Sequence, residues 1–386
     1  MTLEIAGKAQ MSTSITVDIS VTTDVEKAIG ILDSIAPDAN VAGHQHPNFL
    51  RAWLKAGHIA PVFITLQAPG HGPVLLPLER SGNATAHYVG GKHANGNFPV
   101  GKPEDIAALG SAALDALENC RQLQEVGINA VALERQYAEW KGVSNPFVGR
   151  HSVQSPNVAL SFCLADGFDA IVTRCGGAKR RKKFRSQMRK LETVAPINLV
   201  IPVDGDEAAL VLETFFQFKA ARFREVGIPN AFGDDATRAA FMDMFMQSAN
   251  VDKKVHELHM LKVGDELAAI MGCTVNDGQL TVEFSTFNPK FSHFGPGEQL
   301  FFLSIEDACK RGIEIFDFGV GDERFKRTWC DVETWHRDTF IAVSARGQLT
   351  RIAKQMRSTM VRSLKSNEQL WKTAKAARRK LSGHKA

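Results

Sequence analysis

No apolar run in this 386-residue chain approaches the roughly 20 residues needed to cross a bilayer, so a helical membrane span is excluded. The opening residues, MTLEIAGKAQMSTSITVDI, lack the basic and then apolar layout of a signal peptide, and the expected location is the cytoplasm. Six cysteines, at 120, 163, 175, 273, 309 and 330, form no C-x-x-C pair, and the twelve histidines form no H-E-x-x-H pattern. Buried free thiols and no metal are therefore expected. Acidic residues are missing from two stretches. Arg174 to Lys190 holds nine basic side chains and no acidic one, and from Arg346 to the end twelve Lys and Arg face only Glu368.

What is present reads as globular: 44% hydrophobic and 23% charged residues, long enough for two domains at about 100–200 residues each. The net charge of +4 hides an asymmetry, because removing the tail leaves 34 basic and 41 acidic residues. In that tail Ile352, Met356 and Met360 recur at helical spacing, continued by Leu364 and Trp371. The expectation is a basic amphipathic helix that lays this stripe on the preceding domain. Its charged face would be free to touch an anionic membrane at the inner surface.

Periodicity and turn residues divide the chain at SNPFVGRHSVQSPN, residues 144 to 157, which has little period. Residues 15–150 read as strand, two helices, a hairpin through PVFITLQAPGHGPVLLPLER, one helical stretch EDIAALGSAALDALENCRQL and the strand INAVALERQ. Residues 155–345 read as strand, two pairs of helices, a three-strand meander from VHELHMLKV to LTVEFSTF, a glycine loop, a helix and two strands. Residues 346–386 form the tail.

Several patterns carry candidate chemistry. In SHFGPGEQLFF a loop with Ser292, His293, Gly295 and Gly297 feeds a helix that begins near Glu298 and Gln299, and such a terminus presents free N–H groups to an anion. Alternation in LTVEFSTF puts Leu280, Val282 and Phe284 on one face and Thr281, Glu283 and Ser285 on the other, making Glu283 the first candidate base. DFGVGDERFK follows a strand end and supplies Asp317, Asp322 and Lys326. On the basic run, Phe184, Met188 and Leu191 anchor one helical face, leaving Arg180, Arg181, Lys183, Arg185 and Lys190 toward an anionic partner. With only Phe184 among them, aromatics are too few for a base-stacking platform. GGKHANGN offers Lys92, His93, Asn95 and Asn97 to a polar acceptor such as a sugar.

The order of elements and the GPGEQL segment resemble the GNAT N-acetyltransferase fold. GGKHANGN, KRRKKFRSQMRKLE, GPGEQL and FDFGVGDERFKRTW are together similar to the tandem-GNAT branch of CelD-like cellulose-biosynthesis acetyltransferases, related to the FemAB peptidyltransferases. The resemblance runs from near His46 to Trp335. It implies an α/β protein of two tandem GNAT-like domains with mixed central sheets, a cleft between them and acetyl-CoA bound to the C-terminal one. It also implies a Gln/Arg-x-x-Gly-x-Gly/Ala donor loop, from which Ser292 departs, and a base role for Glu283. The expected activity is transfer of an acetyl group to an amine or hydroxyl of a saccharide or cell-envelope precursor. The alternatives are a Fem-like transferase using aminoacyl-tRNA, the one case that calls for a nucleic-acid partner, and a non-catalytic membrane-surface accessory protein of exopolysaccharide synthesis.

Overall fold

Two stretches of alternating apolar residues, each broken by Gly- or Pro-bearing turns, fold as three-stranded antiparallel meanders. The computed structural model describes residues 16–367 and 369, with 58 and 83 excepted. The first half runs β1 (Asp18–Thr22), α1 (Val25–Asp33), α2 (Pro47–Lys55), the meander β2 (Pro61–Gln67), β3 (Pro73–Ser81) and β4 (Thr85–Tyr88), then α3 (Pro103–Leu109), α4 (Ala112–Glu118), α5 (Arg121–Glu125) and β5 (Ala130–Gln136). Caps explain the first starts: the Asp24 carboxylate accepts the Lys27 N–H, and Pro47 opens α2. The stretch expected as one helix is three short ones, bent at Gly110 and at Asn119–Cys120.

A small hairpin, β6 (Glu139–Trp140) and β7 (Val143–Ser144), precedes β8 (Ser152–Cys163), so half of the stretch expected to lack structure is strand. With β8 ending the first half, the second runs α6 (Phe168–Arg174), α7 (Gly177–Glu192), an unexpected edge strand β9 (Ile197–Val200), α8 (Gly205–Glu225) and α9 (Asp235–Ala249). Its meander is β10 (His256–Val263), β11 (Glu266–Asn276) and β12 (Gln279–Phe287), followed by α10 (Pro296–Lys310), β13 (Ile315–Val320), α11 (Arg324–Arg327), β14 (Val332–Ala342) and α12 (Ala345–Ser366).

All but β6 and β7 join one sheet in the order β1-β2-β3-β4-β5-β14-β8-β13-β12-β11-β10-β9. Each half repeats one plan: a meander, a helical crossover, and a strand parallel to the meander's last, β5 to β4 and β13 to β12. The halves then exchange strands. β8 leaves the first half to pair with β13, β14 returns to pair with β5, and the two pair with each other at the centre.

Packing follows this exchange. One cluster covers the outer face of the first half under α3, α4 and α5, and another lies between the second meander and α7 and α10. The third spans both halves: Phe49 and Trp53 of α2 share a core with Phe241 and Phe245 of α9 and with Phe284 of β12. All six cysteines are free, but only Cys120 and Cys273 are buried, and Cys163 is exposed.

The terminal helix overturns one expectation. Ile352, Met356 and Met360 do not lie on the domain but are 44%, 67% and 59% exposed, with Leu349 at 75%. α12 packs instead through its small and polar side. Gly347 approaches so closely that a Cβ there would sit 1.8 Å from the Asn129 carbonyl oxygen, and the Ser358 hydroxyl donates to Asp338 at 2.8 Å. Trp371 lies outside the described residues.

Candidate active site

The parallel pairing of β12 with β13 lasts only three residues, from Gln279 opposite Ile315 to Thr281 opposite Asp317. Beyond them the strands part. In the first half the matching gap between β4 and β5 is closed by the loop carrying GGKHANGN, because Asn97 bridges to Gln136 and its N–H donates to Arg135. Among the described residues the second half has no such plug, and it holds the candidate site.

Just past the parting, the β11–β12 register slips: Gly272 faces Phe284 and Cys273 faces Val282, leaving Glu283 without a partner in the ladder. This bulge re-aims the strand. Leu280 and Val282 pack toward α10, whereas Phe284, expected on their face, joins the core shared with α2 and α9. Its ring lies over Gly272, where a Cβ would approach to 2.2 Å. Glu283 turns to the other half: Oε2 lies 2.6 Å from His44 Nε2, and Oε1 accepts the Thr274 hydroxyl at 2.7 Å. Around it Tyr137, Gln279, Asn95 and Gly96 leave a space of about 10 Å³, room for a single water.

Asp317, buried at the last paired position, accepts from Gln279 at 3.1 Å and from the Gly319 N–H at 2.7 Å. Burial pushes its carboxyl up to about 6, against the Gly319 bond and the Lys326 charge. Asp322 is drawn away from this network by Arg327, 2.6 Å away, whose hydrogen bond holds it below the usual carboxylate range. Lys326 is buried against Glu323, at 2.9 Å, and the Val320 carbonyl.

On the α10 side of the gap lies a cleft of about 830 Å³ between α7, the start of α10 and α11. Phe318, just beyond the last paired residue of β13, reaches its wall through Phe301 and Phe325, with ring centroids 5.0 and 5.7 Å away. The lining is cationic and aromatic: Lys179, Arg180, Lys183 and Arg324 face Glu298 alone, beside Phe184 stacked on Phe302 at 3.8 Å. Arg180, expected outward, is folded over the Trp329 ring at 3.9 Å. Lys183 pairs with Glu298, and Gln299 Oε1 is buried with no hydrogen-bond partner among the described residues. Gly295 has the expected left-handed backbone (φ 64°), but the loop before it is a short 3-10 helix and Gly297 already lies inside α10. Ser292 and His293 are exposed on that 3-10 turn, so of the six expected donor contacts only Glu298 and Gln299 border the cleft.

A second cavity, about 590 Å³, opens where GGKHANGN meets α12, lined by Lys92, Asn95, Arg135, Asp338, Lys354 and Arg357. Arg135, at φ 55°, donates to the Lys92 and Ala94 carbonyls and to Asn95, shaping that loop. His93 faces away, giving a hydrogen-bond contact with the Ala231 carbonyl at 3.1 Å and packing on Phe232; burial lowers its pKa to about 4. Arg181 is engaged with Asp169, and Arg185 is exposed on α7.

Sequence reasoning singled out Glu283, Asn95 and Lys92; it did not single out His44, Thr274, Tyr137 or Gln279, which the fold places around Glu283. His44 sits in a short turn before α2, GHQHPN, with no period to mark it. Glu257, His259 and Cys273 also cluster, but the Glu257 carboxylate is already held by both Arg311 Nη atoms, at 2.6 and 2.7 Å.

Residues 178–327, spanning α7 to α11, match the family model described as an acetyltransferase (GNAT) domain. The second half thus carries a GNAT-type acyltransferase domain. Among solved structures, FemX is similar at 11% identity and a TM-score of 0.53, covering 86% of this chain and all of that one, 100%. L-PGS from Bacillus licheniformis is similar at 12% identity and a TM-score of 0.51, with 83% and 99% covered. The C-terminal DUF2156 domain of an Agrobacterium fabrum protein, assigned as a lysylphosphatidylglycerol synthetase, gives 12% identity, a TM-score of 0.51 and coverage of 88% and 97%. At these identities the likeness is one of fold. No curated protein is similar enough in sequence to match.

Proposed function

We propose that this protein is an acyltransferase that moves an acetyl group from acetyl-CoA to an amine or hydroxyl of a saccharide or cell-envelope precursor. The reading rests on one observation: the β12–β13 gap, unplugged among the described residues, carries a bulged carboxylate, Glu283, toward the other half and has a large cationic cleft on its α10 side. The cleft suits a donor that joins phosphates to a flat ring. Lys179, Lys183 and Arg324 offer charge to phosphates, and Phe184, stacked on Phe302 through one face, offers its other face to a ring. Gln299 Oε1, buried without a partner, is a ready acceptor for a donor N–H. The thioester supplies the activated acyl group when the donor is bound.

Glu283 takes the acceptor's proton, directly or through a water held in the small space beside it, as the nucleophile attacks. His44 and Thr274 fix the carboxylate by holding one oxygen each. The second cavity, which shares Asn95 with the Glu283 space, is the proposed acceptor entry, with Lys92 and Arg135 suited to an anionic or hydroxyl-rich group.

A second reading is favoured by α7. Lys182, Arg185, Arg189 and Lys190 are exposed beyond the cleft, more charge than one CoA engages, and a polyanionic donor such as aminoacyl-tRNA would use it. Calorimetry of the full chain with acetyl-CoA and with charged tRNA separates the two. Acetyl-CoA binding that is lost in Lys183→Glu supports the first; tRNA binding with no acetyl-CoA binding supports the second.

A further inference from the structure

The sequence of α12 places its apolar residues on one stripe, and the fold turns that stripe outward. Leu349, Ile352, Met356 and Met360 follow at intervals of three, four and four residues, one helical face, and all are exposed. An amphipathic helix normally buries its apolar face on the core. Here Gly347 and Ser358 make the close approach to β5 and β14, and the larger apolar side chains are left without cover from the described residues.

Charge indicates what would cover them. Across Ala345–Ser366 there are six cations, Arg346, Arg351, Lys354, Arg357, Arg362 and Lys365, and no acidic residue. Residues 370–386 add six more Lys and Arg and no Asp or Glu. A second copy of this face, or the basic segment that follows it, would bring like charges together, opposing self-association and self-cover. Duplex nucleic acid would answer the charge but leaves no site for Leu, Ile and Met chains. An anionic phospholipid surface answers both, taking the aliphatic chains into the acyl boundary and the cations at the headgroups.

We propose that α12 is a docking helix for an anionic membrane surface, lying in the interface plane through Leu349, Ile352, Met356 and Met360. Arg357, next to Met356, also lines the second cavity, so docking sets that cavity beside the headgroups. The proposal stands on this helix alone and does not depend on which donor the protein uses.

The test is co-sedimentation of the full chain with vesicles containing phosphatidylglycerol, and with phosphatidylcholine vesicles as reference. Binding to the anionic vesicles is expected, weakening with added salt and falling about tenfold or more in Met356→Asp/Met360→Asp, with Tm unchanged because both side chains are exposed. Met356→Leu/Met360→Leu should bind like wild type. Arg346→Gln/Arg362→Gln, which alters exposed charges only, should reduce the preference for anionic over neutral vesicles. Equal binding to both vesicle types, or none, overturns the proposal. So does a fall in Tm with vesicle binding unchanged, which assigns the stripe to internal packing. A dimer dissociated by the Asp variant assigns the face to a second copy, and polynucleotide binding without vesicle binding assigns it to nucleic acid; either overturns membrane docking.

Discussion

His44 and Glu283 meet at 2.6 Å although 239 residues separate them, and the contact joins the two halves of the fold at the bulge of β12. With side chains 4% and 8% exposed, the pair is nearly closed off from solvent. On the proposed reading, Glu283→Gln keeps the shape and removes the base. Turnover on the acceptor should fall by roughly 10²–10⁴-fold with donor affinity unchanged by calorimetry, and less at high pH, where the acceptor loses its proton unaided. His44→Asn should lower turnover less, since it disturbs the carboxylate's position and not its chemistry. Unaltered turnover in Glu283→Gln removes Glu283 from the mechanism and leaves Asp317 as the next carboxylate to test.

Gly272 and Phe284 set the bulge. A methyl group at position 272 meets the Phe284 ring at 2.2 Å, and the ring is held on five sides by Phe215, Phe232, Phe241, Phe245 and the strand itself. Gly272→Ala should cost about 1–3 kcal/mol in denaturant unfolding. Adding Phe284→Leu frees space over the new methyl, so the double variant should lose less than the sum of the two single losses. Strict additivity would mean that the two residues do not constrain each other.

The shared core and the strand exchange make the halves interdependent. Trp53 of α2 packs on Phe241 of α9 with ring centroids 6.2 Å apart, and β8 and β14 each complete the other half's sheet. Calorimetric unfolding of the described fold should therefore show one transition. Phe241→Ala, which opens a cavity at that seam, should lower stability by about 3–5 kcal/mol and still leave one transition. Two separated transitions in wild type would show that the halves fold independently.

Glu79 provides a pH test. Burial raises its carboxyl to about 7 from an ordinary 4.5, despite the bond from the Gly90 N–H. The folded protein thus holds a proton that the unfolded chain has released, so this group's contribution is full below about 4.5 and is lost as pH rises through 7. Half-buried His46 and His93 and buried His336, each lowered to about 4 chiefly by desolvation, act in the opposite direction as pH falls. The difference between Glu79→Gln and wild type isolates the carboxyl. The variant's stability relative to wild type should rise between pH 4.5 and 7, by on the order of 3 kcal/mol. A flat difference over that range would mean that Glu79 titrates normally.

The sequence by itself determined most of the local structure. Alternation and turn residues located β2, β3 and the three strands of the second meander, though not the four-residue β4, and 3.6-residue spacing located α7, α8, α10 and α12, because those signals are written within a few neighbouring residues. It also marked Glu283 as a carboxylate on a polar strand face and Lys92 and Asn95 as loop residues with something to offer. Only the tertiary structure decided what each face meets. Spacing reveals that α12 has an apolar stripe but not that Gly347 and Ser358 bring its other side to the sheet. Strict alternation cannot register the bulge that sends Phe284 to a second core, since the bulge exists only in the pairing of β11 with β12. The exchange of β8 and β14, the plugging of one strand gap by Asn97, and the meeting of His44 with Glu283 are choices of distant partners. They are settled by which surfaces bury one another across the whole chain, and no local pattern records them.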